Sequence, residues 1–444
     1  MQRLVRSVQR RNALGGCRWL SIQRSLPRPI SVQDSLYAQT HTTPDVINFG
    51  LGQPSKSLLP LEMFRKAADL RFQPSQDPAL LQYGAGTGYA GFRETLANFL
   101  TGNFRPPLQL HGYHPTNLKV FAESYGRVVA PDSLMITSGN SQAISHAATV
   151  FTDDRRRVFV EHPTYFLAFD IFREQGLSLE SVRVDQHGLD VDALEQKLRT
   201  GDVPSFLYTV PFYHNPTGAV LPADRCKRLV ELAHQFNFSI ISDEPYNLLG
   251  LTGKNHWSLA SFDTSGYVIS LGSFSKILAP GLRLGWAESH PKTIDKMASL
   301  GAIRSGGGQN PVTASLVHSI LDQDQLSPHI STLKTTFARR KKAMCDALRE
   351  LCPKCSFKEP DGGYFVWVKL PLDVQANALY EESVANHGVA FTPGSRCALA
   401  TTDRDISVSA PWHYIRLSFA FYDEDEIREG IQRLANALNA VRRS

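Results

Sequence analysis

Cysteine is scarce in this chain: six residues among 444, at positions 17, 226, 345, 352, 355 and 397. So few and so scattered, they exclude the disulfide framework of a small secreted scaffold. Only Cys352 and Cys355 form a CxxC pair, and without a second Cys or His pair at ligand spacing it is no zinc site. Nothing thioredoxin-like surrounds the pair, so it reads as a loop. Long apolar runs are missing as well, and no stretch of 18 or more apolar residues reads as a membrane-spanning helix. Acidic residues are absent before Asp34, whereas Arg3, Arg6, Arg10, Arg11, Arg18, Arg24 and Arg28 all fall in that segment. Without these seven arginines the formal charge of +5 becomes −2. The body of the chain is near neutral, which argues against a nucleic-acid or other acidic partner.

What the first segment does contain is arginine, serine and scattered Leu, Val and Trp19. That is the composition of a mitochondrial transit peptide, and the continuous 7 to 15 residue apolar stretch of a secretory signal is lacking. Residues 1–33 are expected to target the protein to the mitochondrial matrix; a basic tail on a cytoplasmic protein is the alternative. The remainder, in a chain 42% hydrophobic and 20% charged, is long enough for two packed domains.

Short apolar runs ending in polar, glycine-bearing turns recur at 134–137, 158–160, 206–210, 238–242, 267–271 and 282–286. Between the third and fourth, Cys226, Leu229, Val230 and Ala233 stand at i, i+3, i+4 and i+7, one stripe of a crossover helix. Strand, helix, strand implies a parallel, right-handed unit, hence an α/β fold with a mostly parallel sheet flanked by helices. After about residue 325 the texture changes to a long helix, strand-like segments at 363–370 and 414–420, and a closing helix. The expected division is an N-terminal arm with part of a small domain over 34–73, a large cofactor-binding domain over 74–324, and a smaller α+β domain completed by 325–444.

In an open parallel sheet, ligands bind beyond the carboxyl ends of the strands. Asn215, Asp243, Ser273, Ser275 and Lys276 all follow strand-like runs and converge on one such edge. A carboxylate, an amine and hydroxyls gathered there suit pyridoxal 5'-phosphate, whose ring nitrogen, aldehyde and phosphate want those partners. Asp243 as an anion would keep the ring nitrogen protonated. Lys276 must lose its proton to attack an aldehyde, and Arg283 is the neighbouring cation that would help it do so.

These segments resemble the class I and II aminotransferases of the fold-type-I group, nearest to the aminoadipate, aromatic and branched-chain transaminases, from about Asn48 to the C-terminus. The signature is Ser273-Phe274-Ser275-Lys276 followed by Gly281-Leu282-Arg283-Leu284-Gly285-Trp286. The resemblance implies that Lys276 forms the Schiff base and shuttles the proton, and that Ser273, Ser275 and Arg283 bind phosphate. Ser138-Gly139-Asn140-Ser141-Gln142 is similar to the family's phosphate loop, in which Gly139, Asn140 and Ser141 offer donors at a helix start. Asn140 stands where serine is more common, which leaves its side-chain contact open. Asn215 in Asn-Pro-Thr-Gly and Tyr246 in Asp-Glu-Pro-Tyr match the partners of the cofactor's 3-hydroxyl; Tyr165 matches the aromatic that stacks on its ring. Arg416 matches the arginine that grips the substrate α-carboxylate, with Asn215 and Gly52 near it, and a planar fork explains Arg rather than Lys. Tyr83 resembles the tyrosine that reaches a neighbouring subunit's phosphate, so a homodimer acting on amino and 2-oxo acids is implied.

Rival readings exist. Gly86 to Gly91 formally spells G-x-G-x-x-G, but no strand-like run precedes it and no acidic residue stands about 20 positions on. Gly139-Asn140-Ser141-Gln142-Ala143 approaches the elbow of serine hydrolases, with Asp243 and His413 as partners, yet lacks the final glycine and leaves Lys276, Arg283 and Arg416 unexplained. A sensor domain joined to a DNA-binding winged helix has no room in the roughly 45 residues ahead of the body. Within pyridoxal enzymes, β-lyases, decarboxylases and cyclopropane-forming synthases share the scaffold, so transamination is the expected reaction with these as alternatives. Arg24 and Arg28 are the residues an N-terminal segment would bring over the site, if transit cleavage leaves them in place.

Overall fold

The apolar runs between 134 and 288 become one sheet, because segments buried on both faces satisfy their backbone groups only by pairing with one another. The computed structural model describes residues 43, 45–103, 128–253, 256–306, 310–399 and 411–442. The expected targeting segment 1–33, with Arg24, Arg28 and Cys17, lies outside the described residues. In chain order, β1 is Ile47–Asn48, and β2 to β9 are Leu134–Thr137, Arg157–His162, Ser178–Asp185, Gly188–Leu189, Phe206–Thr209, Ser239–Asp243, Val268–Ser273 and Gly285–Glu288. β2 to β9 form an eight-stranded sheet in the order β2-β9-β8-β7-β6-β3-β4-β5. Its centre is parallel, with β3 beside β4 and β6, β6 beside β7, and β7 beside β8. β9 runs antiparallel to both β8 and β2.

Alternation along these strands divides the core between the two faces. Ile136, Phe159, Leu207, Ile240 and Val268 join one apolar cluster; Met135, Val158, Val160, Phe206, Tyr208, Ile241, Ile269 and Leu271 join another. The helix Gly139–Phe151 covers the second face with Ala143, Ile144, Ala147 and Ala148. The helix Ala223–Phe236 buries the anticipated stripe of Cys226, Leu229, Val230 and Ala233, and stops at Asn237 in the left-handed conformation. It connects the parallel pair β6 and β7, as the periodicity requires.

Two details depart from the sequence reading. The run 282–286 yields a strand only from Gly285, because Arg283 adopts φ 46° and closes a turn. The eight-residue β4 escaped notice, since its Ser-Leu-Glu-Ser-Val-Arg-Val-Asp pattern is half solvated, with Val182 its one fully buried residue.

β10 to β14 are Ser356–Phe357, Phe365–Lys369, Val389–Ala390, Thr392–Pro393 and Tyr414–Ser418. Four of them form an antiparallel sheet in the order β10-β11-β14-β13, while β12 pairs in parallel with β1. The helices Leu326–Leu351 and Glu424–Val441 bury Leu333, Phe337, Met344 and Leu348, and Ile427, Ile431, Leu434 and Leu438. The second of these starts with a capping box in which Asp423 accepts from the Glu426 N–H at 2.9 Å and Glu426 accepts from the Asp423 N–H at 3.0 Å. Residues 45–444 form one contact-rich unit.

Candidate active site

Five turns meet at one edge of the large sheet. Asp243 ends β7, Ser273 ends β8, Tyr165 follows β3, Asn215 follows β6, and the helix from Gly139 follows β2. Because β9 is antiparallel, its first residue Gly285 pairs with Thr137 and Ser273, which brings Arg283 to the same edge. A cavity of about 160 Å³ opens there, lined by Asn140, Ser141, Tyr165, Asn215, Asp243, Tyr246, Ser273, Ser275, Lys276 and Arg283 among others. Ten of the residues singled out from the sequence thus share one wall. Gly139 is required beside it: its φ is +74°, and a Cβ there would stand 2.9 Å from Arg283 Nη2. Gly272 is required behind it, where a Cβ would meet the Trp286 ring at 2.1 Å.

At the floor, the Asp243 carboxylate accepts from Asn140 Nδ2 at 2.5 Å and from the Tyr208 hydroxyl at 2.8 Å. Tyr208 sits opposite Ile241 in the β6–β7 register, so Asp243 is its diagonal neighbour on the same face. Burial pushes the Asp243 carboxyl above its ordinary range, opposed by the Asn140 and Tyr208 donors and by the charge of Lys276. The sequence named Asn140 as a phosphate-loop residue; in the structure its amide turns to Asp243 and to the Leu271 carbonyl, 3.1 Å away. Tyr208 was missed, since within an apolar run it reads as core. A second buried cluster was also missed: Glu161 accepts from Thr209 Oγ1 at 2.7 Å and the Val210 N–H at 2.8 Å, and lies 3.1 Å from His214 Nε2. It braces the turn that carries Asn215.

Lys276 Nζ donates to the Gly52 carbonyl at 2.6 Å and lies 5.7 Å from the Tyr364 ring centre. Its pKa is lowered to about 8, first by burial and then by the charge of Arg416, against the pull of Asp243. Gly52, expected near the substrate carboxylate, thus offers its carbonyl to the lysine.

The third charged group, Arg416 on β14, is 4% exposed. Its Nη1 donates to Asn215 Oδ1 at 2.8 Å, and Nη2 to the Gly50 carbonyl at 3.0 Å and Thr392 Oγ1 at 3.1 Å. The guanidinium stacks 4.1 Å from the Phe365 ring centre. All its acceptors are neutral, its Nε has no partner, and burial lowers its pKa. A buried cation without a carboxylate among the described residues is a costly arrangement unless an anionic ligand completes it.

Tyr165 and Tyr246 complete the walls, the first with its pKa raised to about 12 by burial; Tyr246 is packed 5.3 Å from Tyr364 and 5.9 Å from Phe365 between ring centres. Tyr83 stands apart, 82% exposed, beside a different hollow formed with Arg71, Leu80 and Pro311. The hydrolase reading loses its base: His413 donates Nδ1–H to the Val374 carbonyl at 2.8 Å and does not line the cavity with Ser141.

These residues fit pyridoxal phosphate by their chemistry. A buried carboxylate held between two donors, a lysine whose pKa burial lowers to about 8, and a glycine turn under an arginine supply, in order, a partner for a cationic ring nitrogen, an amine for an aldehyde and a cradle for a phosphate.

Comparison with known proteins agrees. The family model described as aminotransferase class I and II matches residues 44–434. The chain is 31% identical over 401 residues to aromatic-amino-acid aminotransferase 1 of Thermococcus litoralis, covering 89% of this chain and 88% of that one. It is 24% identical over 439 residues to the mitochondrial kynurenine/alpha-aminoadipate aminotransferase of Bos taurus, covering 95% and 98%. Among solved structures it is similar to the alpha-aminoadipate aminotransferase of Thermus thermophilus, complexed with N-(5'-phosphopyridoxyl)-L-leucine, with TM-score 0.75, 29% identity and coverage of 90% and 94%.

Proposed function

Because the chain belongs to the class I and II aminotransferase family and is a pyridoxal-phosphate-dependent transaminase, moving an α-amino group between an amino acid and a 2-oxo acid, we propose that Lys276 is its catalytic amine. The supporting observation is the placement of Lys276, which lines the cavity with Asp243, between the charges of two buried groups, the anion Asp243 and the cation Arg416. Pyridoxal phosphate, when bound, supplies the aldehyde that takes up the amino group and a ring that accepts electrons from the α-carbon. Lys276 Nζ would take the proton from the substrate α-carbon, hold it and give it up again within the same site. Asp243 would hold a proton on the ring nitrogen, with Asn140 and Tyr208 aligning its carboxylate. Asn215 and Tyr246 would hold the 3-oxygen and Tyr165 the ring. The Gly139 and Ser141 backbone, Ser273, Ser275 and Arg283 would hold the phosphate. Arg416 holds the substrate α-carboxylate by its fork.

Replacing Lys276 with Ala should leave a folded protein whose turnover falls below detection in a coupled assay with 2-oxoglutarate. Wild-type turnover in that variant would end the assignment.

The homodimer belongs to the same proposal. Leu61, Phe72, Leu81 and Tyr83 are 82%, 56%, 71% and 82% exposed on one N-terminal stretch, an apolar surface that a second copy would cover. Sedimentation should give twice the chain mass. Import into mitochondria is also proposed, on the arginine-rich, acid-free composition of residues 1–33 and on the printed name of the bovine relative. A reporter fused to residues 1–33 that stayed in the cytosol would refute it. The division at 74 and 325 into large and small domains stands as part of the same proposal.

A further inference from the structure

The turn between β6 and the helix Ala223–Phe236 carries Asn215, and its backbone is strained. Tyr213 takes φ 52°, a left-handed conformation that a bulky residue holds only where its surroundings impose it. Its ring and Cβ crowd two glycines: a Cβ on Gly362 would stand 2.4 Å from Tyr213 Cε1, and one on Gly363 2.9 Å from Tyr213 Cβ. The next side chain, His214, is fully buried, and so is that of Glu161 on β3.

The hydrogen bonds of His214 fix which nitrogen carries its proton. Nδ1 accepts from the Thr217 N–H at 3.3 Å, and a backbone N–H can only donate, so Nδ1 is bare. Thr217 Oγ1, 2.9 Å away, donates to the same nitrogen. The ring proton is therefore on Nε2, which donates to Glu161 Oε2 at 3.1 Å. Glu161 also accepts from Thr209 Oγ1 at 2.7 Å and the Val210 N–H at 2.8 Å, which joins the end of β6, the carboxylate and the ring in one buried network. The His214 backbone closes the turn, donating to the Ala219 carbonyl at 2.9 Å and accepting from the Gly218 N–H at 2.7 Å. Asn215 is held between these bonds. Its Oδ1 accepts from Arg416 Nη1 at 2.8 Å, and because an arginine cannot accept, Nδ2 is the end left for the cavity that Asn215 lines.

We propose that Glu161 and His214 are positioning residues for Asn215: the carboxylate and the singly protonated ring hold the 209–219 turn so that Asn215 keeps its oxygen on Arg416 and turns its amide to the cofactor's 3-oxygen. The inference rests on the reading of Asn215 as a partner of that oxygen. Neither Glu161 nor His214 is among the residues lining the cavity, so both act through Asn215.

The readout is the pH midpoint of the bound cofactor's absorbance change, which packing alone does not set. A donor on the 3-oxygen weakens that oxygen's hold on the proton it shares with Lys276 Nζ, so losing the donor raises the midpoint. Asn215→Ala should raise it by about one to two pH units, and His214→Phe, which keeps a ring without its hydrogen bonds, by about half to one. Glu161→Gln should stay within about 0.3 of wild type, because its amide oxygen still accepts from His214 and Val210 while the Thr209 hydroxyl turns to accept from its NH2. In an Asn215→Ala background His214→Phe should add less than about 0.3, since a residue acting through Asn215 has nothing left to move. The proposal is overturned by a wild-type midpoint in His214→Phe, by an equal shift with and without Asn215, or by a Glu161→Gln shift as large as that of His214→Phe. Should His214→Phe not fold by circular dichroism, Thr217→Val decides: at a half-buried position it removes the hydroxyl donor to Nδ1 and should give a smaller shift in the same direction, and no shift overturns the proposal. Asn215→Ala alone tests the underlying reading: a wild-type midpoint there withdraws the 3-oxygen contact and the proposal with it, whereas a shift there without one in His214→Phe sinks only the role of the pair.

Discussion

The two buried charges that act on Lys276 are built in opposite ways. Asp243 is an anion whose oxygens are taken by donors from its own chain, Asn140 at 2.5 Å and Tyr208 at 2.8 Å. Arg416 is a cation surrounded by neutral acceptors, with one nitrogen unpartnered and a ring beneath it. An anion wired in this way is held in place by donors that oppose the rise burial imposes on its pKa, ready to polarise a resident group. A cation left uncompensated keeps most of its field for a visiting one. The difference separates a cofactor end from a substrate end, and substitutions should affect different kinetic constants at each.

The largest effect belongs to the Asp243 end. Asp243→Asn keeps one acceptor oxygen for Asn140, and the Tyr208 hydroxyl can rotate to accept from the new amide, so the melting temperature should change by only a few degrees. The lost charge no longer holds the proton on the ring nitrogen, and kcat should fall on the order of a thousandfold, comparable to removing a preorganised electrostatic group from a catalytic site. A variant with kcat near wild type would make Asp243 a structural carboxylate and erase the contrast.

At the other end, Arg416→Lys retains the charge but not the fork. The expected loss is about 10- to 100-fold in kcat/KM, carried mainly by KM. A loss confined to kcat would place Arg416 with the cofactor machinery.

Between the ends lies Lys276, whose amine is depressed from 10.5 to about 8 mainly by burial. Capture of added pyridoxal phosphate by the cofactor-free protein should rise with pH through a midpoint near 8, followed by the absorbance of the bound aldehyde. Since the folded pKa lies below the unfolded one, holding the proton costs stability below pH 8, and that cost is relieved as pH climbs from 8 towards 10.5. Asp243→Asn should move the capture midpoint lower, because Asp243 is the group that raises this pKa. A midpoint near 10.5 would contradict the burial argument.

Much of this contrast was legible in the sequence, and the limits have physical causes. Asn215, Asp243, Lys276 and Arg416 declared themselves because polar residues directly after apolar runs must lie at a strand end. Tyr208 sits inside its run, where a tyrosine reads as core, and only the register, Tyr208 opposite Ile241, aims the hydroxyl at Asp243; Glu161 directly follows the run 158–160, but its strand continues to His162, so it lies within the sheet and not beyond its edge. Asn140 was placed in its loop with its side-chain partner left open, since spacing fixes the loop and not the rotamer, which turns the amide to Asp243. Gly52 and Gly50 differ by two residues, and only the turn decides that the first carbonyl meets Lys276 and the second Arg416. β4 was lost because a half-solvated strand shows no continuous apolar run.

The smallest expected effect tests how far the wiring of Asp243 matters beyond its charge. Tyr208 is fully buried, and its hydroxyl donates to one carboxylate oxygen while Asn140 serves the other. Tyr208→Phe removes one hydroxyl and leaves the ring, so its edge contact with Phe172 is preserved and stability should fall by only about 1 kcal/mol. The carboxylate keeps its charge through Asn140 and its attraction to Lys276, so kcat at neutral pH should drop less than about tenfold. The hydroxyl is nevertheless one of the groups that hold the Asp243 pKa down against burial. Without it that pKa rises further, the carboxylate is lost at a higher pH as acid is added, and the acid limb of the kcat profile should move towards neutrality. A profile that stays in place while kcat falls would assign Tyr208 to packing alone, and the wired end of the cavity would then rest on Asn140.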